Sequence, residues 1–318
     1  MKKIIFLIKF TLDSFRDTKK IIKYFNLIKW NGFLVIFKIF YIRFFYSIEK
    51  IRLKQKILLL NNIEEHSFFE NVKFNTNKIS KDIDLNGYSE IFKIQAPFIK
   101  KLTDQIFKSK NIDIKTDGIN KSDILKNEDE IVEDYFYRLK ELKISRITGT
   151  LNLQNDSFLK EFLLSKSVIN LVKSYLNSND FSINASFFIS NPLQISEEEK
   201  YKNAQYFHWD NDFKKFFKLY IYLTDVDENS GPHVFIPRTH KKKLPEYKLC
   251  RLYSDAQIYS SYKESRKFIG EAGSFFFVDS YGLHKGETPK SKSRLLLNVH
   301  FGKGKILYSK DDLYFKTK

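Results

Sequence analysis

The sequence predicts an α+β fold: a jelly-roll or barrel of short strands in the C-terminal half, with a helical N-terminal region packed on it. Three observations predict it. Seven of the eleven glycines (231, 270, 273, 282, 286, 302, 304) and four of the six prolines (232, 237, 245, 289) fall after residue 230. Turn residues therefore crowd the C-terminal part, and the N-terminal half reads as mostly helical. Phe181 to Ser190 alternates F-S-I-N-A-S-F-F-I-S, apolar at odd positions, which is the period of a half-buried strand. Further short apolar runs follow, separated by turns.

Taken in order, Met1 to Leu12 opens with Lys2 and Lys3, then I-I-F-L-I, then Lys9. The apolar run is too short for a signal peptide and no small-residue cleavage site follows. Trp30 to Ile42 contains Lys38 and ends at Arg43, whereas a spanning helix needs about twenty largely uncharged residues. Residues 1–56 carry fourteen Lys or Arg against Asp13, Asp17 and Glu49, so +11 of the total +17 lies there. A basic, aromatic-rich helix on an anionic membrane surface is one reading. The preferred one is helices packed on the core, because I-I-F-L-I, I-I-K-Y-F and F-L-V-I-F-K-I-F need burial. The charge also has a compositional explanation. The chain is rich in Lys, Ile, Asn and Phe and poor in Pro, Gly and Ala, as in AT-rich coding.

Ser122 precedes I-L…I-V…Y-F…L…L over 124–142, with acids early and bases late. The pattern predicts an amphipathic helix capped by Ser122, with Glu128 to Glu130 on its solvated face. Asp156 to Leu176 reads as one or two more helices. After the strand at 181–190 come strands at Lys218–Thr224, His233–Ile236, Ser274–Val278 and Arg294–Phe301, with a turn-rich connection at Asp225–Pro232. No internal repeat and no Pro-rich or Gly/Ser-rich linker marks a boundary. We read 1–120 as a helical basic region and 121–318 as the jelly-roll domain.

Four residues carry chemistry: His208 and Asp210 in H-W-D, His284, and Arg294 ten residues later. Residues two apart on a strand share a face, so His208 and Asp210 can reach one ion if the strand persists or opens into a loop there. With His284 from another strand they form the two-histidine, one-carboxylate face that holds ferrous iron and leaves positions open. Arg294 offers a fixed, charged fork suited to a dicarboxylate. On its strand Arg294, Leu296, Asn298 and His300 share one face, where a bidentate carboxylate pair is desolvated and strong.

Q-Y-F-H-W-D (205–210), L-Y-I-Y-L-T-D-V-D-E-N-S-G-P (219–232), F-I-P-R-T-H-K (235–241), A-G-S-F-F-F-V-D (272–279), L-H-K-G (283–286) and S-R-L-L-L-N-V (293–299) resemble the phytanoyl-CoA dioxygenase family over roughly 145–302. The resemblance implies a double-stranded β-helix and a non-haem Fe(II)- and 2-oxoglutarate-dependent dioxygenase that consumes O2. It implies that His208, Asp210 and His284 bind iron and that Arg294 pairs with the distal carboxylate of 2-oxoglutarate. Tyr220 and Asn298 are candidates for further hydrogen bonds to that co-substrate. Three positions depart from the family pattern: P-R-T-H replaces P-G-S-H at Pro237 to His240, Ser274 replaces Asp, and Tyr220 stands where Trp is common. None is a ligand, so they bear on subfamily and substrate. The related halogenases replace the carboxylate ligand by a small residue. Asp210 therefore argues for hydroxylation of an unactivated C–H bond or another oxygenase outcome.

The same iron site serves desaturation, cyclisation or epimerisation, and a non-catalytic jelly-roll with a membrane- or partner-binding N-terminus is the other alternative. The substrate is expected to be a small, anionic metabolite. The bases Lys200, Lys202, Arg238 and Lys241 to Lys243, in or near the loops 191–204 and 241–270, suit such an anion. They equally serve as solubilising surface charge. One cysteine, Cys250, excludes an internal disulfide framework and suits a reducing, cytoplasmic compartment, in which the protein is peripheral to a membrane if residues 1–56 bind one. His66 reads as exposed, His233 and His240 as satisfying backbone groups, and His300 as facing the pocket. No phosphate loop, Cys cluster or nucleophile elbow is present, and no nucleic-acid partner is expected.

Overall fold

The computed structural model describes residues 57–60, 75–108, 112–114, 121–127, 129–153, 156–210, 215–248, 252–303 and 313–317. The expected helices of residues 1–56, His66 and Cys250 lie outside them. Contacts divide the chain into two compact units, Met1–Gln55 with Leu244–Cys250, and Lys56–Lys243 with Arg251–Lys318. In the first, the described part is a 3-10 turn at Pro245–Lys248.

The second unit begins with β1 (Ile57–Leu60), α1 (Thr76–Asn86), β2 (Phe92–Lys93), α2 (Ala96–Lys108) and β3 (Ile112–Ile114). It continues with α3 (Val132–Glu141), β4 (Arg146–Thr150), α4 (Ser157–Leu163), α5 (Lys166–Leu176) and β5 (Asp180–Ser190). Then come α6 (Glu197–Lys202), β6 (Phe207–His208), β7 (Phe216–Tyr222), β8 (His233–Phe235), β9 (Leu252–Tyr253) and α7 (Asp255–Ser261). The last strands are β10 (Arg266–Phe268), β11 (Ser274–Val278), β12 (His284–Gly286), β13 (Arg294–Gly302) and β14 (Leu313–Thr317). Among the described residues no helix is long and apolar enough to cross a membrane.

Local chemistry sets the helix ends. Asn75 caps α1 by accepting from the Lys78 N–H at 3.0 Å, and Gly87 closes it at φ 92. Asp156 caps α4 through the Leu159 N–H at 2.8 Å. Ser196 and Glu199 form a capping box on α6. The helix expected from Ser122 starts ten residues later, at Val132, and Lys121–Ile124 is a 3-10 turn instead. Arg138 is the reason. It grips Glu130 with two 2.8 Å hydrogen bonds and the Leu125 carbonyl with a third, folding the 121–130 segment back onto α3. Glu130 is therefore drawn inward rather than solvated, and Arg138 holds its carboxyl below the usual range. Short strands β2, β3 and β4 also interrupt the N-terminal half, which the scarcity of turn residues had made mostly helical.

The strands form two sheets. The larger runs β1-β14-β5-β13-β7-β11-β2, with β4 pairing β5 and β3 pairing β4; the smaller runs β10-β8-β12-β6-β9. Every pairing is antiparallel except β1 with β14. This is the double-stranded β-helix the sequence predicts. Alternation on β5, β7 and β13 splits the apolar residues into two cores. Phe187, Ile189, Leu219, Ile221, Leu295, Leu297 and Phe301 face the helices, where they pack with Leu102, Leu139, Val172 and Tyr175. Phe217 is enclosed there by Tyr175, Phe277 and Phe301, at centroid distances of 5.1, 5.9 and 5.3 Å. Burying one such ring stabilises the fold by about 1.5–3 kcal/mol. The opposite face packs Tyr220, Tyr222, Phe276 and Leu296 against Phe235 of β8 and Phe268 of β10. Polar residues interrupt only this second face.

Candidate active site

His208 ends β6 and His284 opens β12, and the two are register partners in the smaller sheet. Their rings are 4.3 Å apart at 50°. Asp210 follows in the loop beyond β6, where its N–H donates to the Ser280 carbonyl at 2.8 Å. Asp210 therefore reaches the site from a loop rather than from a continuing strand. The ligating atoms of His208, Asp210 and His284 all lie within 4.8 Å of one another, and all three residues are buried. His284 Nε2 stands 3.6 Å from Asp210 Oδ2.

The imidazole tautomers follow from their partners. His208 Nδ1 is 2.9 Å from the Tyr206 carbonyl, and His284 Nδ1 is 2.9 Å from the Gly282 carbonyl. A carbonyl oxygen only accepts, so each Nδ1 carries the proton and each Nε2 keeps its lone pair. Both rings are thus oriented and tautomerically set for a metal on Nε2. Lys218 of β7 donates to Asp210 Oδ2 at 2.7 Å. Trp209, between the two ligands, packs edge-on against Tyr281 at 5.6 Å.

Arg294 opens β13 and is 5% exposed. Nη1 donates to the Gly231 carbonyl, while Nε has no partner among the described residues. Burial pulls the guanidinium below its ordinary pKa, partly offset by the Tyr222 and Tyr220 hydroxyls. Two glycines shape its surroundings: Gly231 offers its carbonyl, and Gly286 leaves room for the guanidinium. Gly231 turns at φ +72, and a Cβ on Gly286 would stand 3.1 Å from Arg294 Nη2.

The pleat gathers more polar groups on the same face. Asn298 pairs in register with Tyr220 and Ser186, and His300 with Lys218 and Asn184. Asn298 Nδ2 donates to Ser186 Oγ at 2.9 Å, leaving Oδ1 without a partner among the described residues. Tyr220 is buried, with its ring 4.7 Å from His233. His300 is buried against Phe216 at 5.2 Å, and burial, then Lys218, pulls its pKa well down.

Sequence reasoning missed three residues here. Lys218 was read only as a strand start. Arg146 of β4 pairs with the same Ser190 as Arg294, from the other side of β5. Crowding by the surrounding protein, then Arg294, pulls its guanidinium down to about 10. It lies 4.5 Å over the Phe188 ring and donates to the Asn203 carbonyl. The only sequence signal was a basic residue in the alternating run R-I-T-G-T. His233 is the third, and here the expectation fails. Its Nε2 is buried with no partner among the described residues, and the ring packs 5.4 Å from His284. His240 does bond a backbone group, the Asp84 carbonyl at 2.9 Å.

Several expected substrate-facing bases are paired: Lys200 with Glu197 at 2.6 Å, Lys202 with Glu198 at 2.7 Å, Arg238 with Glu264 at 2.9 Å and Lys241 with Asp84 at 2.7 Å. Lys243 is buried over the Tyr281 ring at 3.5 Å.

A sequence model described as phytanoyl-CoA dioxygenase matches residues 126–295, more than half of the chain. No curated protein matches it. Three solved structures illustrate its likenesses. The non-haem α-ketoglutarate-dependent epimerase SnoN from nogalamycin biosynthesis is 11% identical, covering 72% of this chain and 80% of that one, with a TM-score of 0.46. HygX from Streptomyces hygroscopicus, with nickel and 2-oxoglutarate bound, is 11% identical over 71% of this chain and 86% of its own, with a TM-score of 0.46. EctD from S. alaskensis is 12% identical over 78% and 84%, with a TM-score of 0.47.

Proposed function

The chain belongs to the phytanoyl-CoA dioxygenase family, and from that premise we propose that it hydroxylates an unactivated C–H bond of a small anionic metabolite. It is an Fe(II)- and 2-oxoglutarate-dependent oxygenase. The observation that carries the site assignment is the convergence of His208, Asp210 and His284 with both Nδ1 atoms turned to backbone carbonyls. Two neutral imidazoles and one carboxylate are the donor set that suits ferrous iron.

In this reading His208 Nε2, His284 Nε2 and an Asp210 oxygen hold the metal. Lys218 donates to Asp210 Oδ2, the same oxygen that stands 3.6 Å from His284 Nε2, and so orients the carboxylate that would hold the metal. Bound ferrous iron supplies dioxygen activation, with 2-oxoglutarate as electron donor. Arg294 takes the distal carboxylate in a low-dielectric setting, where its free Nε and neighbouring N–H groups find an acceptor. Tyr220 and Asn298 line the same face and supply further polar contacts. Phe276, Leu296 and Phe235 keep water from the co-substrate.

The anionic character of the substrate rests on charge. Arg146, Arg294 and Lys218 share the inner face; Asp210 pairs with Lys218, and Glu287 acts on Arg294 from farther away. A doubly charged co-substrate leaves this face electropositive when the iron is counted. Succinate formation from 2-oxoglutarate, assayed across matched carboxylate, phosphate and neutral candidates, tests the reading. Anionic compounds should stimulate turnover, and stimulation confined to neutral ones would refute the substrate class. Residues 1–56 lie outside the described residues. Their docking on the core, or their contact with anionic membrane, rests on sequence alone, and vesicle co-sedimentation at low and high salt tests the membrane part.

A further inference from the structure

The turn between β11 and β12, residues 279–283, touches two of the three candidate ligands. The Ser280 carbonyl accepts the Asp210 N–H at 2.8 Å, and the Gly282 carbonyl accepts His284 Nδ1 at 2.9 Å. Whatever fixes this turn therefore aims one carboxylate and one imidazole together. Asp279 fixes it from within. Its carbonyl accepts the Gly282 N–H at 3.0 Å, and its Oδ1 accepts the Tyr281 N–H at 3.0 Å. Its own N–H donates to the Gly87 carbonyl at 2.8 Å, tying the turn to the end of α1.

The other carboxylate oxygen reaches away from the site. Asp279 Oδ2 accepts the Tyr175 hydroxyl at 2.6 Å, from a helix on the far side of the larger sheet. Tyr175 is itself held by Phe217 at 5.1 Å and by Lys215 over its ring at 4.2 Å. Both Asp279 oxygens thus accept, which is the pattern of an ionised carboxylate. Burial raises its pKa, and Tyr175, His240 and Lys243 pull the other way. A buried carboxylate with both oxygens engaged is a rigid anchor, and such arrangements are costly unless fully satisfied.

We propose that Asp279, held by the Tyr175 hydroxyl, is a positioning residue for the metal centre: the pair sets the 279–283 turn and so aims Asp210 and His284. The proposal rests on the reading of His208, Asp210 and His284 as the iron ligands. Neither Tyr175 nor Asp279 is among the three candidate ligands.

Tyr175→Phe removes one hydroxyl and Asp279→Asn changes one atom, so the first variant carries the test if the second folds poorly. Anaerobic Fe(II) titration, the visible charge-transfer band that appears on adding 2-oxoglutarate, and amide hydrogen exchange of the metal-free protein are the readouts. Fe(II) affinity should fall roughly tenfold or more, as when partners behind metal ligands are removed. The band should shift, and exchange at the Asp210 and Tyr281 amides should accelerate. Val168→Ala, elsewhere on the same helix and buried, should lower the melting temperature while leaving affinity and band unchanged. Parent-like affinity and band in Tyr175→Phe would overturn the positioning role while leaving the ligand assignment standing, whatever Asp279→Asn shows. An equal loss in Val168→Ala would also overturn it. Failure of the parent chain to bind Fe(II) would remove the ligand assignment and this role together.

Discussion

Arg146 and Arg294 are both register partners of Ser190, one on each side of β5, so two guanidiniums face the same interior side of the larger sheet. Among the described residues neither has a carboxylate at ion-pair distance; both donate to backbone carbonyls. Such a pair is unfavourable until an anion arrives. Arg294→Ala should weaken 2-oxoglutarate binding by roughly 10–100-fold while Fe(II) binding changes little, since hydrogen bonds to charged groups are worth about 1.5–3 kcal/mol. Arg294→Lys should also weaken it, because an ammonium cannot replace a planar fork. Arg146→Gln should give a smaller loss for the co-substrate or for an anionic substrate. Anaerobic titration of the charge-transfer band measures each of these, and an unchanged 2-oxoglutarate affinity in Arg294→Ala would contradict the assignment.

Gly286 offers a milder perturbation of the same group. A methyl there would lie 3.1 Å from Arg294 Nη2, so the guanidinium must shift by a few tenths of an ångström. Gly286→Ala should raise the KM for 2-oxoglutarate several-fold with melting temperature close to the parent's. Steady-state succinate assays at varied 2-oxoglutarate check this, and an unchanged KM would show that Arg294 is not held as described.

Lys218 and Asp210 form a largely buried pair at 2.7 Å, with side chains 13% and 7% exposed. Breaking a buried pair leaves one charge uncompensated. Lys218→Met should therefore destabilise the metal-free protein by about 3 kcal/mol. Ferrous iron supplies a replacement cation for Asp210, so the thermal shift on adding Fe(II) should exceed the parent's. Melting curves with and without Fe(II) under nitrogen decide this, and a shift equal to the parent's would separate Lys218 from the metal centre.

Acid should act through His300. Burial and Lys218 hold its folded pKa well below the ordinary 6.5. A depressed folded pKa means that the unfolded chain binds the extra proton first. Stability is then fully present above about pH 6.5 and is lost as pH falls toward the folded value. The slope from this one group is about 1.4 kcal/mol per pH unit. His300→Gln should flatten the fall in stability below about pH 6.5 in denaturant titrations of the metal-free protein. An unaltered slope would contradict the buried, neutral state of this imidazole.

Much of the site was legible because its signals are local. H-W-D and the alternation around Arg294 each lie within one strand and its ends, and Ser274–Val278 matches β11 residue for residue. Residues acting through long-range contact left no such mark. Lys218 reaches Asp210 only because β7 lies across from the loop after β6, and Arg146 meets Arg294's neighbourhood only through β5. The helix expected from Ser122 failed for a related reason. A capping residue competes with the Arg138–Glu130 grip, which no window of periodicity contains. The sequence suggests a backbone role for His233, whereas the pleat of β8 turns it toward His284.

The most direct test is equilibrium binding of Fe(II) to the metal-free chain under nitrogen, followed by addition of 2-oxoglutarate. The parent should bind one Fe(II) and then develop the charge-transfer band, while His208→Ala, Asp210→Ala and His284→Ala should each lose tight Fe(II) binding with the fold intact by circular dichroism. Undiminished Fe(II) binding in those three variants, or no Fe(II) bound by the parent, would contradict the account.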